Sequence, residues 1–279
     1  MVTLMTDPVK FTIPGFKTLL VGGVGSGKTH SIHSLVEAGY EVFAIFTEPG
    51  METVAEIPSD KLHWHYIPPS SAAWADMIDS ASKINTLSFE ALSKLPHINK
   101  TKYTEFIELL TCLSNFTDDR TGKSFGPVDT FDQTKVLFVD SLSGLNIMAM
   151  NLVAGSKPTK SMSDWGVAMD NLERLITKLT TDLPCHVVLT AHLERETDEQ
   201  TGGTSLMAST LGKKLAPRLP RFFSDVIHCK RDGDKFHWST ATMNVDLKAR
   251  NLPLADNLPP SFLQIASSWN RRNAGGDTK

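Results

Sequence analysis

The sequence contains little cysteine, no long apolar run and no marked excess of charge. Its 279 residues include only three cysteines, an odd number at wide spacing (Cys112, Cys185 and Cys229), which argues against a disulfide framework and against a zinc site. No apolar run approaches the roughly 18 residues that a membrane-spanning helix needs. The first residues lack a basic segment followed by an apolar core, so we expect no secretory signal. These absences favour a cytoplasmic protein that has no membrane partner.

The formal net charge is −3, with an isoelectric point near 6.3. The overall field therefore does not attract nucleic acid, and any contact with DNA must come from a local basic surface. The five tryptophans are scattered, without the run of aromatic residues that would indicate a base-stacking surface. The hydrophobic content of 41% is enough for a substantial core. We expect a single domain over residues 1–266 and a flexible tail at 267–279.

Short apolar segments alternate with helical patterns along much of the chain. The segments that read as buried strands are residues 17–21, 41–47, 135–139 and 186–191. This alternation predicts an α/β fold with a mainly parallel sheet flanked by helices. Residues 51–130 interrupt it, with helical patterns near 71–83, 88–95 and 104–116 and a candidate strand at 62–67, so we expect a helical insertion. Segments 224–230 and 235–242 predict a C-terminal antiparallel hairpin.

A glycine-rich segment joins the first predicted strand to a helix and fits the pattern G-x-x-x-x-G-K-[ST]. Its backbone N–H groups can surround a β-phosphate, while Lys28 neutralises the β and γ oxygens and Thr29 holds magnesium. The segment therefore predicts binding of ATP with Mg²⁺. The residues assigned to this nucleotide site are Gly22, Gly23, Val24, Gly25, Ser26, Gly27, Lys28, Thr29 and His30.

Two acidic residues follow predicted strands and are candidates for the chemistry. Asp140 ends the apolar segment 135–139, where a carboxylate beside the phosphate loop can hold magnesium through water. Glu48 follows the segment 41–47 and can orient the attacking water. The alternatives are that Asp140 caps a helix and that Glu48 is a solvated turn residue before Pro49.

Taken in order, the motifs GGVGSGKT, FTEPG, VLFVDS and VVLTAH resemble the core of the RecA-like ATPases. The resemblance covers residues 15–50 and 135–255 and implies that Glu48 is the catalytic glutamate and Asp140 the magnesium aspartate. It also implies that His192 senses the γ-phosphate, although glutamine or asparagine is more usual there. The alternative for His192 is a buried, hydrogen-bonded histidine at a strand end.

Residues 246–251, DLKARN, resemble the K-x-R-N element with which multimeric RecA-like proteins reach the γ-phosphate of a neighbouring subunit. This resemblance implies that Lys248 and Arg250 act across subunits and that the protein self-associates into a ring or filament. A cation placed at the transferring phosphate stabilises charge that develops in the transition state. The alternative is an exposed basic strand end.

The resemblance further places DNA-facing loops after Asp140 and His192, at residues 153–163 and 193–205. Lys157, Lys160 and Arg195 can meet phosphates there, but four acidic residues make the second loop a weak attractor: Glu194, Glu196, Asp198 and Glu199. A separate basic cluster is either a second DNA surface or a solvated helix face: Lys213, Lys214, Arg218 and Arg221.

The strongest likeness is to compact phage recombination and single-strand annealing ATPases. It implies a DNA-stimulated ATPase that binds single-stranded DNA and promotes annealing or strand exchange, with a single-strand-binding protein as a further candidate partner. Two alternatives remain open, namely a helicase-like motor that translocates on nucleic acid and a regulatory ATPase that acts on a protein partner.

Overall fold

The computed structural model describes residues 13–68, 74–95, 102–155, 157–197, 203–212 and 214–274. Its strands are β1 Lys17–Gly22, β2 Glu41–Phe46, β3 Leu62–Tyr66, β4 Phe116–Thr117, β5 Ser124–Gly126, β6 Lys135–Asp140, β7 His186–Ala191, β8 Leu193–Thr197, β9 Thr204–Ala208, β10 Asp225–Asp232 and β11 Lys235–Ser239. Its helices are α1 Ile32–Glu37, α2 Trp74–Thr86, α3 Phe89–Ser93, α4 Glu105–Ser114, α5 Leu142–Ala154, α6 Met162–Thr177 and α7 Leu263–Ala274. Within the described ranges, each helix is too short or too polar to cross a lipid bilayer.

A seven-stranded sheet forms the centre of the fold, in the order β11-β10-β1-β7-β6-β2-β3. Neighbouring strands are parallel except β10 and β11, which pair as an antiparallel hairpin. The predicted α/β fold, with its mainly parallel sheet and its C-terminal hairpin, is therefore confirmed. The order also places β7 between the strand that leads into the phosphate loop and the strand that ends in Asp140.

Both faces of the sheet are buried, because successive side chains of a strand point to opposite faces. In β2, Phe43 and Ile45 pack in one core with α4, α5 and α6, whereas Val42, Ala44 and Phe46 pack in a second core with α1 and α7. Burial on both faces explains why these strands read as nearly continuous apolar runs in the sequence.

The segment 51–130 is not purely helical. Its strand β3 extends the main sheet by pairing in parallel with β2, with Leu62 opposite Val42, and it is followed by helices α2 to α4 and the small β4–β5 hairpin. Leu62 is completely buried, and this burial explains why the segment adds a strand to this edge of the main sheet. Helices α2 and α3 instead leave large apolar side chains in solvent, with Trp74 80% and Phe89 77% exposed.

The two predicted DNA loops are shorter than expected. Helix α5 continues to Ala154 and α6 begins at Met162 behind a capping box formed by Ser161 and Asp164, so the connection spans only 155–161. In the predicted loop 193–205, residues 193–197 and 204–205 lie in the antiparallel pair of strands β8 and β9, the β8–β9 hairpin, with Arg195 opposite Leu206. Leu193 and Ala208 pack against the core, which fixes this hairpin to the sheet.

The chain beyond Ala266 is helical as far as Ala274, where the sequence predicts a flexible tail. Trp269 explains the difference, because its side chain is only 6% exposed. Its Nε1–H donates to the carbonyl of Pro14 at 3.1 Å, and its ring meets the ring of His186 edge-on at 4.7 Å. Helix α7 is thus part of the second core.

We expect Trp269→Ala to lower the free energy of unfolding by about 3 kcal/mol, since truncating a buried tryptophan removes apolar contacts and leaves a cavity. Thermal denaturation followed by circular dichroism measures the effect, which corresponds to a fall in Tm of roughly 5–10 °C. Asn270→Ala is the matched control, because its side chain is exposed on the same helix. Equal Tm values for the two variants would show that α7 contributes no packing.

Candidate active site

The phosphate loop leaves β1 at Gly22 and enters α1 through a 3-10 turn at Thr29–Ser31. Gly25 and Gly27 have φ angles of 69° and 83°, which only glycine adopts at little cost. The Ser26 hydroxyl donates to the carbonyl of Gly23 at 2.8 Å and braces the loop. The loop therefore has the backbone conformation that its glycine pattern predicts.

Lys28 is held against the carbonyl groups of the same loop. Its Nζ donates to Gly22 O at 2.9 Å and to Gly23 O at 2.8 Å. Burial lowers the pKa of Lys28 below its usual value, and the nearby carboxylates of Asp140 and Glu48 act in the opposite direction. The ammonium group is thus placed among the loop's acceptors, with both predicted acids within electrostatic reach.

Asp140 is held between two threonine hydroxyl groups. Thr29 Oγ1 donates to Asp140 Oδ2 at 2.5 Å, and Thr190 Oγ1, from β7, donates to Oδ1 at 2.5 Å. The structure therefore brings together the two residues predicted to hold magnesium. Thr190 also belongs to the site, and the sequence analysis missed it. The only feature of the sequence that could have indicated it is a hydroxyl group within the apolar run HVVLTA.

Glu48 and His192 meet across the end of β6, although they follow different strands. His192 Nε2 lies 3.4 Å from Glu48 Oε2. The other ring nitrogen, Nδ1, is buried and has no hydrogen-bond partner within the described part of the chain, so Nε2 is the nitrogen that is placed to donate to the carboxylate. Thr47, just before Glu48, accepts from the Ser141 N–H at 2.8 Å and ties the ends of β2 and β6 together.

The remaining nucleotide-site residue, His30, is exposed in the 3-10 turn that precedes α1. Its ring centre lies 4.5 Å from that of His33, whose Nε2 is 3.4 Å from Glu56 Oε1. Val24 is 91% exposed at the tip of the loop. These two residues border the loop on its solvent side.

Lys248 and Arg250 lie away from the phosphate loop of their own chain. The backbone of Lys248 pairs with Val226 near the start of β10, and Asp225 beside it lies opposite Thr18, whereas Cys229 lies opposite Gly22. This separation of four residue positions corresponds to roughly 13 Å of strand. The structure thus does not bring these two cations to the other predicted site residues of the same chain.

The segment that carries Arg250 is rigidly held. The fully buried Asp225 carboxylate accepts from the N–H groups of Arg250 and Asn251, each at 2.8 Å, and from the Asn251 side chain at 2.5 Å. Arg272 of α7 donates to the Arg250 carbonyl. Lys248 Nζ donates to the carbonyl of Phe223 at 2.6 Å. The Arg250 backbone is therefore fixed while its side chain is exposed.

Several cations proposed to meet DNA already have acidic partners. Lys157 Nζ lies 3.0 Å from Asp164 Oδ2, and both Arg218 and Arg221 pair with Glu173, at 3.5 and 2.6 Å. The exposed cations Lys160, Arg195 and Lys214 are different, because no ion pair is formed by them within the described ranges. The candidates that lie outside those ranges are Lys213, Asp198 and Glu199.

The phosphate loop after β1, the aspartate that ends β6, and β7 between the two strands are the arrangement of a RecA-like P-loop fold. Residues 15–250 match the family model described as an AAA domain. Because this match spans most of the sequence, the chain belongs to the AAA domain family.

No curated protein sequence matches the chain. Among solved structures, the chain is similar to the RadB recombinase, with 12% identity and a TM-score of 0.34 over 84% of each chain. It is also similar to the assembled ATPase EscN of the type III secretion system of enteropathogenic E. coli, with 13% identity and a TM-score of 0.37. That match covers 78% of this chain and 43% of the EscN chain.

Proposed function

We propose that this site hydrolyses ATP with magnesium. The supporting observation is that residues following three different strands, together with the phosphate loop, meet at one edge of the sheet: Lys28, Thr29, Glu48, Asp140 and His192. The carboxyl ends of parallel strands in an open α/β sheet are where ligands bind. Lys28 and the loop N–H groups hold the phosphates, and Glu48 orients the attacking water.

The residues present suit magnesium. The Thr29 hydroxyl and the Asp140 carboxylate lie side by side and offer oxygen atoms only, which are the ligands that Mg²⁺ prefers, and it usually keeps several waters besides. When bound, the ion supplies positive charge to the β and γ oxygens of the nucleotide. Thr190 keeps the Asp140 carboxylate oriented by binding its second oxygen.

His192 is proposed to report the γ-phosphate to the β8–β9 hairpin. The carbonyl of His192 accepts from the Ser209 N–H at 2.8 Å, the Ser209 hydroxyl donates to Glu194 Oε1 at 2.6 Å, and Asn146 of α5 donates to the Ser209 carbonyl at 3.0 Å. A phosphate that draws the imidazole from Glu48 would therefore move a residue to which the hairpin is bonded.

We propose that the nucleic acid is single-stranded DNA, bound at the connection 155–161 and the β8–β9 hairpin for annealing or strand exchange. Among the candidate cations in the described ranges, the exposed Lys160, Arg195 and Lys214 are available for phosphates. Arg195 borders a groove of about 300 Å³ between the hairpin and Ala216, at the start of a 3-10 helix. Glu194 and Glu196 lie in the same groove, so binding should be modest and sensitive to salt.

This proposal predicts that single-stranded DNA raises the rate of ATP turnover, and that double-stranded DNA and RNA raise it less. Arg195→Ala should weaken the stimulation several-fold and reduce its dependence on salt, because one phosphate contact is lost. Lys83→Ala is the control, since its ammonium already pairs with Asp79 at 2.5 Å on α2. If no polymer stimulates turnover, the recombination function is wrong.

The second candidate function is an ATPase that acts on a protein partner. It is favoured by the apolar side chains that α2 and α3 expose, including Ile78 at 66% in addition to Trp74 and Phe89. Two results together would support this alternative. The rate of ATP turnover would be the same with and without every nucleic acid tested, and Ile78→Ser would lose biological activity while its basal ATPase rate stayed unchanged.

A further inference from the structure

The proposed catalytic groups all lie on one side of β1. Strands β7, β6 and β2, which lead to His192, Asp140 and Glu48, follow β1 in one direction across the sheet, whereas β10 and β11 follow it in the other. A nucleoside triphosphate whose γ-phosphate faces these groups has its base and ribose at the opposite end. In an extended triphosphate bound along the loop, that end would lie toward the β10–β11 hairpin, on the other side of β1.

The tip of this hairpin stands beside the phosphate loop. Cys229 of β10 is opposite Gly22, the last residue of β1, so the next residues of β10 extend past the sheet edge from which the loop starts. Arg231 is paired across the hairpin with Phe236. A Cβ atom placed on Gly27 would lie 3.1 Å from Cδ1 of Phe236, and one placed on Gly25 would lie 3.7 Å from Nη1 of Arg231.

The side chains of Arg231 and Phe236 contact each other and together form a partly exposed surface made of two planar groups. The guanidinium carbon of Arg231 lies 5.3 Å from the centre of the Phe236 ring, and Nε of Arg231 donates to the Gly233 carbonyl at 2.8 Å, which fixes the side chain. Phe236 is 42% exposed, although it is a large apolar residue directly against a glycine loop. Bases stack on aromatic rings and on guanidinium planes, and such stacking needs no particular hydrogen-bonding edge.

We propose that Phe236 and Arg231 form the base-binding end of the nucleotide site. Phe236 provides a face for the base, and Arg231 holds the ring of Phe236 in place and presents its guanidinium group to the base and ribose. The inference rests on the proposed ATP site and adds to it a binding surface that is remote from the γ-phosphate. The competing explanation is that Phe236 only covers Gly27 and supports the shape of the loop.

Isothermal titration with magnesium distinguishes these explanations by comparing two probes, ATP and inorganic tripolyphosphate, which has no base. Phe236→Ala should weaken ATP binding by about 10-fold or more, the loss expected for one stacked base, and leave tripolyphosphate binding unchanged. Arg231→Ala should weaken ATP binding several-fold, and Phe236→Trp should retain it. Lys235→Ala is the matched control, because Lys235 adjoins Phe236 in β11 but points to the other side of the strand.

Each outcome has one meaning. If both hairpin variants bind ATP as the wild type does, the base-binding surface is wrong. If Phe236→Ala loses ATP and tripolyphosphate to the same extent, Phe236 supports the loop and does not bind the base. If the wild-type protein binds neither probe, the proposed ATP site itself is wrong, and the inference fails with it.

Discussion

Replacing Arg250 with alanine should lower kcat for ATP hydrolysis by about 10³-fold or more, while the affinity for ATP changes only a few-fold. An arginine supplied to the transferring phosphate stabilises charge that exists only in the transition state, and such residues are worth about 10³–10⁵ in kcat. Arg250 is exposed, and its segment pairs with the start of β10, about four residues of strand away from the point where the phosphate loop of its own chain begins. We therefore propose that Arg250 contacts the nucleotide of a neighbouring subunit.

Mixing two inactive proteins tests this arrangement. Lys28→Ala lacks its own phosphate-loop cation but keeps Arg250, and Arg250→Ala has the opposite defect. In a mixed assembly some interfaces join an intact loop to an intact arginine, so part of the activity should return. Arg271→Ala is the control, because it removes another exposed arginine from the same surface pocket. If the mixture stays inactive although the subunits assemble, the shared site is contradicted.

Glu48→Gln should lower kcat by about 10³-fold and leave ATP binding intact, because the amide keeps the shape of the side chain but cannot accept a proton from the attacking water. The amide oxygen can still accept from His192 Nε2, so the link between the two residues survives. Single-turnover kinetics separate the chemical step from binding and release.

The matched control for this variant is Glu52→Gln, which alters an exposed carboxylate a few residues along the same segment. It should hydrolyse ATP at the wild-type rate. If Glu48→Gln were equally active, the carboxylate of Glu48 would have no part in the reaction, and its contact with His192 would be merely structural.

The phosphate loop and the acidic residues near it could be predicted because the sequence patterns that indicate them are local. The glycine spacing of the phosphate loop, and acids at the ends of apolar runs, depend only on neighbours in sequence. Thr190 and the Arg231–Phe236 pair could not be found in this way, since they reach the site through strand order and hairpin register. Which strands adjoin β1 is decided by packing across the whole sheet.

Surface features were predicted less well for the same reason. The sequence gives no indication that Lys157 has an acidic partner. In the fold, Asp164 in the first turn of α6 forms an ion pair with it. Residues 193–205 read as a charged loop because the apolar side of the hairpin is contributed by both strands, with Leu193 opposite Ala208. A tail at 267–279 was expected because a lone tryptophan gives no periodic pattern, whereas its burial depends on Pro14 and His186.

The two carbonyl groups that bind Lys28 have a consequence for selectivity among anions. Because Gly22 and Gly23 already accept from two of the three N–H donors of the ammonium group, a phosphate that replaces either carbonyl group gains only the difference between a charged acceptor and a neutral one. That difference grows with the negative charge of the ligand. We therefore expect polyphosphates to displace the carbonyl groups and singly charged anions to gain little by doing so, so that the loop would favour a nucleoside triphosphate over simple salts.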